Sequence, residues 1–76
     1  MEIKEFIENF KEQFEDEPTC ELTVDTVFRD VDEWSSIVAL SVMAMVDEEY
    51  DVQLTADEMR KAITIGDLFN TVSSKA

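Results

Sequence analysis

Seventy-six residues carrying nineteen Asp and Glu against six Lys and Arg give a net charge of -13 on a chain that is 45% hydrophobic. A single cysteine, Cys20, excludes an internal disulfide, and the absence of histidine excludes a Cys/His zinc cluster and a Ser–His nucleophile. The negative surface repels nucleic-acid phosphates and anionic lipids, and favours basic patches on other proteins.

One domain over residues 1–76 is expected, held together by apolar contacts alone. The opening run MEIKEFIENF mixes charged and apolar groups, unlike a secretion signal. No apolar stretch approaches the roughly 20 residues of a membrane span. The expectation is a reduced, cytoplasmic monomer.

In chain order, residues 2–14 place Ile3, Phe6, Ile7, Phe10 and Phe14 at helical spacing, which predicts a first amphipathic helix. From Glu15 to Trp34 the periodicity dissolves, and Pro18 disfavours helix before it. Leu22, Val24, Val27, Phe28 and Val31 are expected to pin this long connection across the core. A short turn of helix is compatible with Thr26 to Phe28. A second helix is predicted from Ser36 to Tyr50, with Ser35 as its cap. Its stripe is assigned to Ile37, Leu40, Met43, Ala44 and Val46 or Asp47, with Val38, Val42 and Met45 widening it. Thr55 and Glu58 fit a capping box that opens a short helix over Ala56 to Lys61. Thr64 and Asp67 form a looser version opening a helix from Ile65 to about Ser73, with Ile65, Leu68, Phe69 and Val72 inward. The predicted fold is all-α: a small four-helix bundle of three longer helices and one short one, with a long loop between helices one and two.

The paired serines, Ser35 and Ser36, pose the chemical question. A serine nucleophile needs a base, and Arg29, the nearest cation in sequence, cannot act as one. Asp30 and Asp32 begin like a calcium loop, but Trp34 stands at the next ligand position, Ser35 where glycine is needed and Ser41 where the bidentate Glu belongs. A serine in the first turn of a helix, facing free amides and the positive end of the dipole, suits a covalently attached phosphate. Ser36 then becomes a substrate of another enzyme and no catalyst. The plain alternative is an ordinary first-turn serine behind a capping one.

The stretch EWSSIVALSVMAMVDEEYDV, Glu33 to Val52, resembles the second helix of acyl carrier proteins. There an Asp-Ser-Leu motif opens the helix and its serine carries a 4'-phosphopantetheine arm. Ser36 matches that serine, Ile37 the leucine, and Asp47 to Asp51 the acidic, aromatic close. The resemblance extends to the amphipathic first helix, the long loop, the short helix after VQLTADEM and the ITIGDLFNTV ending. It implies a carrier for acyl intermediates of fatty acid, polyketide or related synthesis, held as thioesters on coenzyme A-derived phosphopantetheine. It also implies a phosphopantetheinyl transferase and acyl-transferring or ketosynthase-type enzymes with basic patches as partners.

The motif's aspartate is Ser35 here, which caps equally well but removes a charge beside the modified residue. Val38, Asp47, Glu48 and Glu49 are the expected docking residues, with Val38 and Ser41 taken as exposed and the surface near Ser36 as unusually apolar. Two other readings stand beside this one: an aminoacyl or peptidyl carrier of the same fold, and an unmodified acidic adaptor that docks basic proteins.

Overall fold

The computed structural model describes residues 2–76. Among these residues it is all-α and lacks strands, with α1 at Ile3–Glu12, α2 at Ser36–Tyr50, α3 at Ala56–Lys61 and α4 at Ile65–Lys75. A 3-10 turn at Phe28–Asp30 lies in the connection between α1 and α2. The four-helix bundle, its three longer helices and the short third one follow the expectation.

Aromatic rings build the core. Phe6 and Phe10 on α1 are fully buried, and Phe14 stays buried beyond the helix end. The helix closes earlier than expected because Gln13 tightens the last turn, its backbone N–H donating to Phe10 and its side chain to the Asn9 carbonyl. Phe28, Val31 and Leu22 fasten the long connection to this core, but Val24 is exposed, contrary to the expectation. The 3-10 turn also falls two residues later than the predicted one. Both departures have one cause, since the connection is stitched to the start of α4. Val27 forms an isolated antiparallel bridge with Thr64, Ile65 N–H donates to the Thr26 carbonyl at 3.0 Å, and Gly66 N–H donates to the Val24 carbonyl at 2.9 Å.

That stitch requires Gly66. A β-carbon there would lie 2.9 Å from the Val24 carbonyl oxygen, a backbone atom that cannot swing aside. Alanine at an open helix position gains about 1 kcal/mol over glycine. Here the clash should win: Gly66→Ala is expected to cost about 1–3 kcal/mol. In a thermal melt this is a drop of several degrees, at about 4–8 °C per kcal/mol. A gain in melting temperature would contradict the stitch.

Both predicted capping boxes form. The Thr55 hydroxyl accepts from Glu58 N–H and the Glu58 carboxylate accepts from Thr55 N–H, while Thr64 and Asp67 repeat the exchange on α4. Asp51 takes the left-handed conformation at the end of α2, φ 54°, which an Asp tolerates better than most residues. Helix α4 runs on to Lys75, past the predicted end. The Lys75 ammonium bonds the Gln53 carbonyl and the Glu58 carboxylate, both at 2.6 Å, tying the last turn of α4 to the start of α3.

The Lys75 ammonium, followed by the Thr55 amide, holds the Glu58 carboxyl down at about 2, from an ordinary value of 4.5. The Thr64 and Ile63 amides lower Asp67 as well. A depressed carboxyl adds stability that is complete above its ordinary value and is lost as pH falls through the folded one. The Glu58 contribution should therefore disappear between about 4.5 and 2. Lys75→Ala should flatten this part of the stability–pH curve, which thermal melts across the window would show. An unchanged slope would count against the clamp.

Candidate functional site

The site grows from the end of the long connection. Trp34 stacks on Phe10, with ring centroids 5.8 Å apart and planes 8° from parallel, and meets Phe28 at 4.8 Å and Phe14 at 6.0 Å. The Trp34 backbone N–H donates to the Val31 carbonyl at 2.9 Å. An indole held on three sides fixes where the chain leaves the connection. Ser35 follows in extended conformation, and its hydroxyl accepts from Val38 N–H at 3.3 Å. The predicted cap is therefore present, with Ser in the role that Asp or Ser fills equally well.

Ser36 is the first residue of α2 and is exposed. The first turn of α2 contains no acidic residue to compete for the positive helix end. An exposed hydroxyl, free first-turn amides and an unopposed dipole together accommodate a phosphodiester. The residues fit a phosphopantetheine arm in that chemical sense.

The faces of α2 differ from the expectation. Val38, Val42, Met45 and Val46 are the buried residues, and Val38 is only 1% exposed. Val38 therefore belongs to the core and is unsuited to docking a partner. The predicted inward stripe was placed about one residue off. Ile37 and Leu40 point outward, at 59% and 66% exposure, while Met43 is half-buried and Ala44 exposed. The helix is apolar almost all round, so periodicity alone supports two stripes, and contact with the Phe-lined core selects between them.

The outward pair changes the character of the site. Ile37 follows Ser36 directly, and Leu40 lies one turn on, at i+4 from Ser36. The surface beside Ser36 is apolar, as expected, but because of Ile37 and Leu40 and not Val38. Ile63, also outward at 56%, adds a third exposed apolar side chain. Asp47, Glu48 and Glu49 are all exposed, at the end of α2 where no basic residue balances them. The sequence reading turned Ile37 and Leu40 inward, although the excess of apolar residues over one buried face was the signal that some of them face out.

A short bundle with a long first connection, an exposed capped serine opening its second helix and an acidic close to that helix defines a small carrier-type domain. No family model and no curated protein matches the sequence. Among solved structures, the chain is similar to the solution structure of a holo acyl carrier protein from Geobacter metallireducens. The two share 25% sequence identity over 96% of this chain and 83% of that one, with a TM-score of 0.78. The chain has the acyl carrier protein fold. By fold it is a carrier-type domain.

Proposed function

We propose that this protein is an acyl carrier protein whose Ser36 bears 4'-phosphopantetheine derived from coenzyme A. The exposed Ser36 hydroxyl at the opening of α2, in a chain of this fold, carries the reading. The Ser36 oxygen attacks the pantetheine-side phosphorus of the coenzyme A pyrophosphate, the P–O bond to the adenosine bisphosphate breaks and that group leaves. A phosphopantetheinyl transferase supplies the base that takes the serine proton. When bound, the arm offers a thiol that holds acyl groups as thioesters. Ser35 holds the first turn in place, and Trp34 keeps that turn at the edge of the core.

Ile37 and Leu40 provide the apolar part of the docking surface, and Asp47, Glu48 and Glu49 its charge. Acyl-transferring or ketosynthase-type enzymes with basic patches fit that surface. Exposed apolar anchors bind, and surrounding charge steers encounter and sets orientation. Fatty acid, polyketide and related syntheses all use such a carrier, and a cytoplasmic monomer suits it.

The test is intact mass after incubation with coenzyme A and a broad-specificity phosphopantetheinyl transferase, beside Ser36→Ala and Ser35→Ala. One phosphopantetheine should be added to the parent and to Ser35→Ala, and none to Ser36→Ala. Addition to Ser36→Ala would overturn the assignment of the site.

A further inference from the structure

Beside the stitch between the long connection and α4 lies an open groove of about 400 Å³. Ile3 of α1, Val24 of the connection and Phe69 of α4 supply its apolar part, and Asp25, Asp67 and Asn70 its polar part. No residue of α2 or α3 lines it. The apolar side chains are held in place from behind. The Gly66 N–H bond to the Val24 carbonyl keeps Val24 outward, 41% exposed, and Phe69 meets the buried Phe6 ring edge-on at 5.5 Å. A surface already ordered loses little freedom when a partner covers it.

The polar groups fix the charge of that partner. Anions find no donors here: Ile65 and Gly66 N–H donate to the connection, and Asp67 N–H donates to the Thr64 hydroxyl. No Lys or Arg lines the groove, and among the described residues no cation pairs with Asp25 or Asp67. Asp67 accepts from the Ile63 and Thr64 amides on a single oxygen, both at 3.1 Å, and Asp25 is bonded only through its backbone N–H, to the Thr23 hydroxyl. One oxygen of Asp67 and both of Asp25 remain for cationic donors. A bare amine would satisfy them and leave the apolar part wet, while an anionic lipid surface is repelled by a chain of charge -13.

We propose that this groove is a second docking surface, for a protein segment that presents an apolar side chain flanked by Lys or Arg. The apolar side chain covers Val24 and Phe69, and the flanking cations bond Asp25 and Asp67. The groove shares no residue with Ile37, Leu40 or the acidic close of α2. One partner can therefore hold the domain here while α2 and Ser36 face another. Binding in the groove does not depend on modification of Ser36.

The test uses the unmodified full chain, labelled with nitrogen-15, and a capped peptide with two leucines between two pairs of arginines. The backbone amide signals of Val24, Asp25, Gly66 and Asn70 should shift together and saturate, and those of Asp47 to Glu49 should not follow the same curve. Val24→Ser should weaken binding about fivefold to thirtyfold through lost apolar burial. Asp25→Asn should weaken it about twofold to fivefold and reduce its salt dependence. Both variants keep the backbone atoms of the stitch, and the same spectra report whether each stays folded. Ile37→Ala, on the α2 surface, should bind the peptide as the parent does.

No saturable shift at the groove would overturn the second surface. Equal binding of a peptide with serines in place of the leucines, or of spermidine, would also overturn it, since any polycation is drawn to an acidic chain. Shifts concentrated on Asp47 to Glu49 would give the segment to α2 instead. None of these outcomes touches Ser36, so the carrier reading stands or falls on its own mass test.

Discussion

Phe10→Ala is expected to destabilise the protein by about 3–5 kcal/mol. Phe10 is fully buried and packs against four other rings: Phe6 at 6.4 Å, Phe14 at 5.8 Å, Phe28 at 5.9 Å and Trp34 in a parallel stack. A domain of this size has a total stability of roughly 4–11 kcal/mol, so the variant loses a large share of it and possesses little reserve. The melting temperature should fall by about 12–40 °C. The effect also reaches the site. Trp34, the sole tryptophan, loses the face it stacks on, so its fluorescence should shift to the red in whatever fraction stays folded. A loss below about 1 kcal/mol would mean that the aromatic cluster is not what holds the connection to the bundle. Ile37→Ala, on the exposed face, should change stability by no more than about 0.5 kcal/mol.

Ile37→Asp combined with Leu40→Asp should leave the fold intact and abolish productive docking. Both side chains are more than half exposed and project from the same side of α2 as Ser36. Apolar anchors at the centre of an interface contribute about 2 kcal/mol or more, so affinity for the transferase should fall at least about thirtyfold. Reversing Asp47, Glu48 and Glu49 to Lys should act differently. Rim charges govern encounter, so association should slow and lose its salt dependence, with a smaller effect on dissociation. Transfer kinetics measured at two ionic strengths would distinguish the two classes. If the Asp pair leaves transfer to Ser36 unimpaired, the docking surface lies elsewhere.

The features legible in the sequence were those decided over three or four residues. Thr55 with Glu58, Thr64 with Asp67, and Ser35 before Ser36 are capping patterns whose hydrogen bonds span a single turn, and each forms as predicted. The α1 stripe was legible because its other face is charged. The orientation of α2 was not, because Ile37, Val38, Leu40, Val42, Met43, Met45 and Val46 leave no polar face along most of its length. Only contact with a core built by distant residues decides that Val38 turns in and Ile37 out. The long connection presents the same difficulty: the exposure of Val24 follows from its carbonyl bond to Gly66, and Arg29 finds its partners thirty residues away at Met59. Neither pairing leaves a trace in local pattern.

The most direct test of the central claim is peptide mass analysis of the protein purified from its own cells. The account predicts phosphopantetheine on the peptide that contains Ser35 and Ser36, with fragmentation locating it on Ser36. A Ser36 that is never modified in those cells would contradict a carrier function and leave an acidic adaptor that uses both serines only to open a helix.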